Sequence, residues 1–184
     1  HVTWLCVTLL SVLYFTYCNE MWNQLDALTG LFNRRAFQAA VDETLLKRIS
    51  GVFIFIDVDN FKDYNDKYGH ANGDLCLKHF AAAMKKCFPK DSILGRYGGD
   101  EFVVYIKNAA SDDAHRYMDE FQREISHLIM SGGEHVTVSA SAGGVAFIGG
   151  GEDFVSLCRS ADNMLYDVKR NGKGTFKIKG AKNM

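Results

Sequence analysis

An excess of charge of either sign is missing from this chain: 21 Lys and Arg stand against 22 Asp and Glu in 184 residues, a formal net charge of −1. That balance points away from nucleic acid as a partner, because a phosphate-tracking surface needs a basic excess. A C-x-x-C pair is also missing. The five cysteines, Cys6, Cys18, Cys76, Cys87 and Cys158, are odd in number and scattered, which argues against a disulfide framework and a zinc site and fits a reducing cytoplasm. The common phosphate loops are absent too. Gly172-Lys173-Gly174-Thr175 lacks the earlier glycine of G-x-x-x-x-G-K-[ST], and no G-x-G-x-x-G follows a strand. Any phosphate must then be held by metal and by lysines. Repeats and low-complexity stretches do not occur, and a 47% hydrophobic, 23% charged composition suits one domain with a real core.

Charge is absent altogether from Val2 to Cys18, and no Lys or Arg precedes Arg34. A spanning helix needs about 20 apolar residues, so residues 1–19 read as the end of a membrane helix, with Tyr14, Tyr17 and Trp22 suited to an interfacial belt. An amphipathic dimerising helix, or the last strand of a preceding sensor domain, are the rival readings. The chain begins with His, so a fragment lacking its upstream sensory domain is expected.

Two adjacent carboxylates, Asp100 and Glu101, follow the glycine pair Gly98-Gly99 between the apolar stretches Ile93 to Tyr97 and Phe102 to Ile106. The glycines supply the positive φ of a tight hairpin turn, with the carboxylates at its tip. Upstream, Val52 to Val58 is an apolar run that ends in Asp57-Val58-Asp59 and suits a central strand covered on both faces. Alternation puts Phe53, Phe55, Asp57 and Asp59 on one face. No Lys or Arg stands inside the strand, so a divalent cation is the economical way to bury Asp57; hard oxygen ligands favour Mg²⁺ or Mn²⁺. For Asp59, a cap on the following helix is an equally good reading.

The remaining pattern alternates between helix and strand. Asn33 is a candidate N-cap for a helix carrying Ala36, Phe37, Ala40, Val41 and Leu45. A short helix is expected near Lys62 to Tyr68 and longer ones at Asp74 to Cys87, Asp112 to Met130 and Phe154 to Lys169. Strands are expected at Val136 to Phe147 and Thr175 to Ile178. This is an α+β plan, an antiparallel sheet with a βαββαβ ferredoxin-like core flanked by helices.

Six separated blocks now coincide in order and spacing: Asp26-Ala-Leu-Thr-Gly-Leu-Phe-Asn-Arg-Arg35, Asp57-Val-Asp-Asn-Phe-Lys62, Asn65-Asp-Lys-Tyr-Gly-His70, Gly73-Asp74, Arg96-Tyr-Gly-Gly-Asp-Glu-Phe102, and Ala161-Asp-Asn-Met-Leu-Tyr166 with Lys169. Together they closely resemble a GGDEF domain, the family that contains the diguanylate cyclases. The resemblance covers Asp26 to about Ile178, within a domain taken as residues 20–184, and implies the palm fold of class III nucleotide cyclases. It also implies condensation of two GTP into cyclic di-GMP in a homodimer, with a catalytically silent GTP-binding or dimerisation module as the alternative.

By the same resemblance, two Mg²⁺ or Mn²⁺ ions per site fall to Asp57, Asp100, Glu101 and the Val58 carbonyl, with Glu101 either a ligand or a proton acceptor. Asn65 and Asp74 correspond to the guanine readers. Asn60, Phe61, Lys62, His70, Gly98, Gly99, Lys169 and Lys173 complete the substrate site. Lys173 stands where the family usually has Arg, and a lysine offers a point charge rather than a bidentate fork. The Arg-x-x-Asp of the family's inhibitory product site is replaced by Pro89 and Ser92, so no such site is expected. Localisation follows from the parts: a cytoplasmic catalytic domain attached through residues 1–18 to the inner face of the cell membrane.

Overall fold

The computed structural model of the protein describes residues 2–22, 24–126, 128–129 and 135–181. Helix α1, Val2–Trp22, is followed by strand β1, Phe32–Asn33, and helix α2, Arg34–Leu46. As its sequence predicts, Asn33 caps α2, its side chain accepting from the Ala36 N–H at 3.0 Å. Strand β2, Gly51–Val58, leads to the paired helices α3, Phe61–Tyr68, and α4, His70–Cys87. Next come the hairpin β3, Ile93–Gly98, and β4, Glu101–Lys107, and then helix α5, Ser111–Ile125. The short strands β5, Leu128–Ile129, and β6, His135–Val136, precede β7, Ala140–Phe147, helix α6, Phe154–Asn171, and β8, Phe176–Lys179.

Among the described residues the main sheet has six strands in the order β1-β3-β4-β2-β7-β8. Its four central strands are antiparallel, as expected from the sequence, but both edges are parallel: β1 pairs with β3 and β8 with β7. The sheet is therefore mixed. Strand β2 sits in the middle and is covered on both faces, which is why its sequence is apolar from Val52 to Ile56. Val52, Ile54, Ile56 and Val58 pack with α4 and α5 on one side. Phe53 and Phe55 face α2 and α6 on the other. There Phe53 meets Phe37 edge-on at 6.0 Å and Phe154 at 5.8 Å, contacts worth about 0.5–1.5 kcal/mol each beyond the area they bury. Helix α6 lies on β7 at backbone distance, because Gly143 has no Cβ; one there would collide with the Ala161 carbonyl and the Leu165 N–H.

Several sequence expectations move. Helix α4 starts at His70 rather than Asp74, since Gly69, with φ of +82°, ends α3 and opens α4 at a single residue. Helix α5 stops at Ile125, where the Ser126 hydroxyl takes the Arg123 carbonyl at 2.7 Å; Met130, its expected end, lies outside the described residues. Strand β7 begins at Ala140 because Val136 belongs to the separate β5-β6 pair. The membrane reading of residues 1–18 gains no support. The segment is helical, but among the described residues no helix is long and apolar enough to cross a membrane. Thr8, Ser11 and Thr16 dilute the run, each returning its hydroxyl to a carbonyl of the preceding turn. Tyr14 and Tyr17 are exposed, and the Trp22 side chain lies outside what is described.

Candidate active site

The sheet brings the predicted carboxylates together. Asp57, next to last in β2, and Glu101, first in β4, are direct cross-strand partners. The Val58 N–H donates to the Asp100 carbonyl at 3.2 Å. Like charges placed this way repel. One cation answers them, and it comes from outside the strand: Lys169, near the end of α6, lies 2.8 Å from Asp57 Oδ2. The Asp57 side chain is only 13% exposed.

Titration reflects this crowding. Burial raises the Asp57 carboxyl above the ordinary Asp range; Lys169 pulls it back, while Asp100 and Asp59 push it further up. Glu101 is raised by partial desolvation and then by Asp57 and Asp100, with Lys169 opposing and Asp162 adding to the rise. One ammonium does not satisfy three carboxylates, and such an acidic cluster fits a divalent cation. Among the described residues no three His, Cys, Asp or Glu side chains converge closely enough to hold a metal by themselves.

The hairpin tip differs by one residue from its expected form. Gly98 pairs with Glu101 after a register shift at Arg96/Gly98, so the two-residue turn is Gly99-Asp100, and Gly99 alone has positive φ, +38°. Tyr97 is the residue bulged out. Its ring meets Phe55 at 4.9 Å and lies under the Arg34 guanidinium at 4.4 Å. Arg96 secures the turn by donating from Nε at 3.0 Å and Nη2 at 2.7 Å to the Gly99 carbonyl, while its Nη1 holds Asp26 Oδ1 at 3.1 Å. Asp26 Oδ1 also accepts from the Thr29 N–H at 2.9 Å and hydroxyl at 2.6 Å. Burial works against the charged form of Asp26, but the Thr29 and Arg96 bonds outweigh it and hold the carboxyl below its usual range. Neither Arg96 nor Asp26 carries a site role in the sequence reading; their recurrence in two motif blocks 70 residues apart was the available signal.

On α3, the Asn65 Oδ1 is buried without a hydrogen-bond partner. It rests on Gly73 of α4, where a Cβ would collide with it. An orphaned acceptor seated on a glycine is a poor structural device and a good place for a donor from outside. Asp74 is exposed beside it on α4, and His70, also exposed, opens the same helix. No hydrogen bond or ion pair joins His70 to the carboxylates. Phe61 is half-buried at the start of α3, and Lys62 is exposed.

Asp59 does not cap α3. The N-cap is Asn60, in the left-handed region, with no side-chain capping bond. Asp59 instead turns to the same side as Asp57 and accepts from Ser141 Oγ at 2.6 Å and Ser139 Oγ at 2.8 Å. Lys173 donates to Asn60 Oδ1 at 2.8 Å. Pro89 and Ser92 close a turn, the Ser92 N–H donating to the Pro89 carbonyl at 3.0 Å, with no cationic side chain at either position.

Comparison with known proteins gives the same picture. The family described as "Diguanylate cyclase, GGDEF domain" matches residues 23–175. The chain is 33% identical over 154 residues to the cyclic di-GMP phosphodiesterase PdeR of Escherichia coli K12, covering 82% of this chain and 23% of that protein. It is 32% identical over 152 residues to the diguanylate cyclase DgcM of the same organism, covering 80% and 36%. The chain thus spans less than half the length of these curated relatives. Among solved structures, the coiled coil and GGDEF domain of DgcB from Caulobacter crescentus, in complex with c-di-GMP, superposes with a TM-score of 0.83 at 25% identity, covering 95% of this chain and 96% of that one.

Proposed function

Because the chain belongs to the GGDEF domain family, we propose that it is a diguanylate cyclase, condensing two GTP into cyclic di-GMP with release of two pyrophosphates. The observation that carries this reading is the set Asp57, Asp100 and Glu101, gathered at one end of β2 and β4, where crowding raises the Asp57 and Glu101 carboxyls against one opposing lysine. Each 3′-oxygen attacks the α-phosphorus of the other nucleotide, a new P–O bond forms, the bond to the β-phosphate breaks, and pyrophosphate leaves.

Asp57, Asp100 and the Val58 carbonyl would hold two Mg²⁺ or Mn²⁺ ions, which when bound lower the pKa of the attacking hydroxyl and draw off phosphoryl charge. Glu101 is either a further ligand or the group that takes the proton from the 3′-hydroxyl. Asn65 offers its unpartnered Oδ1 to a guanine N–H while Asp74 accepts from the same edge, a pattern adenine does not match. Lys169, which pairs with Asp57, would offer its ammonium to a phosphate, and Lys173 would add a second.

One domain presents one nucleotide, so catalysis needs a second copy face to face, in an isologous arrangement. The exposure of Glu101 and of Gly98-Gly99 fits an open half-site. The concavity of about 490 Å³ lined by Leu45, Leu46, Arg48 and Gly149 to Gly151 lies at the other end of β2 and plays no part. Incubation of the purified protein with GTP and Mg²⁺, read by mass spectrometry, is expected to yield cyclic di-GMP. Binding of GTP without product, at concentrations where the protein is dimeric, would instead make it a silent GTP-binding module.

A further inference from the structure

We propose that Asp59 is the positioning residue for the triphosphate end of the nucleotide site, acting through Lys173; the inference rests on the GTP reading above. Asp59 is a buried carboxylate, 9% exposed, and no ion pair reaches it among the described residues. Such a group is costly unless its oxygens are hydrogen-bonded, and both are. Oδ1 accepts from the Ser141 hydroxyl at 2.6 Å; Oδ2 accepts from the Ser139 hydroxyl at 2.8 Å and from the Gly174 N–H at 2.9 Å. The Gly174 N–H also reaches Ser141 Oγ at 3.2 Å. With both oxygens engaged, Asp59 serves as an anchor.

What it anchors is unusual backbone. Gly172, Lys173 and Gly174 have φ of +129°, +39° and +65°, three positive values in succession. A lysine in the left-handed region is disfavoured unless its surroundings hold it there. Asn60, the neighbour of Asp59, is left-handed as well, with φ of +54°. The two irregular residues meet: Lys173 Nζ donates to Asn60 Oδ1 at 2.8 Å. Asp59-Asn60 and Lys173-Gly174 therefore form a closed ring, one side made by the Asp59 to Gly174 bond and the other by Lys173 to Asn60. The ring ties the turn after α6 to the end of β2, two residues from Asp57. It holds an ammonium on an exposed neutral amide oxygen, a partner that a phosphate oxygen readily displaces. Asp59 thus sets where that ammonium stands without touching substrate.

The test compares Asp59→Ala, which removes all three accepted bonds, with the milder Asp59→Asn, with Lys173→Ala and with the double variant. GTPαS and GMP serve as ligands in calorimetry, and amide hydrogen exchange is followed at Gly174. In the parent the Gly174 amide is protected; in Asp59→Ala it exchanges at the rate of an open turn. Asp59→Ala and Lys173→Ala each weaken GTPαS about tenfold, the scale of one charge-assisted bond, and leave GMP, which lacks the outer phosphates, unchanged. The double variant is no weaker than either single one, because both remove the same ammonium from its place. Should Asp59→Ala fail to fold, Asp59→Asn with Lys173→Ala carries the same cycle. Additive losses, equal losses for GTPαS and GMP, or an unprotected Gly174 in the parent overturn the proposal. A parent that binds no GTPαS while Gly174 remains protected overturns the GTP reading, and the inference falls with it for that separate reason.

Discussion

Replacing Asp57 with Asn is the sharpest perturbation of the site, because the amide keeps the shape and removes one charge of three. The carboxylate faces Glu101 across the strand pair and Lys169 at 2.8 Å. If it is a metal ligand, synthesis falls more than about a hundredfold, or about 2.7 kcal/mol of barrier. Folding responds differently. The raised Asp57 carboxyl binds its proton more tightly in the folded state than in the unfolded chain. Its contribution to stability is therefore complete below the unfolded value of about 3.9 and is lost as pH rises through the folded value. At pH 7 the charge is a net cost, which the amide does not carry. Against this, Lys169 loses its partner, but at 38% exposed it returns to water, and such pairs are worth roughly 0–1 kcal/mol. Urea unfolding at pH 7 should place the variant within about 1 kcal/mol of the parent, with a flatter profile on the acid side. Product is measured by mass spectrometry. Turnover within a few-fold of the parent would refute the assignment, and collapse of the fold would refute the electrostatic reasoning.

Four other outcomes are expected. Gly73→Ala should displace Asn65 and lower kcat/KM for GTP by at least about tenfold, the worth of a lost charge-free base contact, with Mg²⁺ dependence unchanged; ATP should be a very poor substrate of the parent, and equal use of the two nucleotides would contradict the guanine reading. Asp26→Asn should flatten the acid limb of stability, since a depressed carboxyl contributes above its unfolded value near pH ~3.9 and loses that contribution as pH falls through its folded one; an unchanged limb in urea melts would show that the Asp26 to Arg96 clasp is idle. Cyclic di-GMP should inhibit weakly and competitively, because Pro89 and Ser92 offer no cation; tight noncompetitive inhibition would reveal another product site. Specific activity should rise with protein concentration, whereas a constant value in a protein that sediments as a monomer would contradict the two-subunit mechanism.

How much of this was legible in the sequence depended on whether its cause was local. The β2 strand and the Asn33 cap are fixed by neighbours in the chain, and they stand where the sequence puts them. The hairpin slipped by one residue because the Tyr97 bulge is decided by Phe55 and Arg34, from distant elements. The resemblance made Lys169 a phosphate ligand; its ion pair with Asp57 depends on how α6 crosses the sheet. Asp59 looked like a helix cap because its partners, Ser139 and Gly174, lie 80 and 115 residues away. The alternation Ser139-Ala140-Ser141, which puts two hydroxyls on one face of a strand, was the trace it left.

Gly143 has a consequence well beyond packing. Since α6 rests on bare backbone there, the helix has no spacer whose size could drift, and the reach of Lys169 towards Asp57 is calibrated by an atom that is not present. A methyl group at that position would act as a shim under a lever: the axis of α6 would lift, and the Lys169 charge, one turn beyond Leu165, would swing away from Asp57 while every residue named in the candidate site stayed unchanged. Chemistry at the rim is thus gauged from the middle of the sheet.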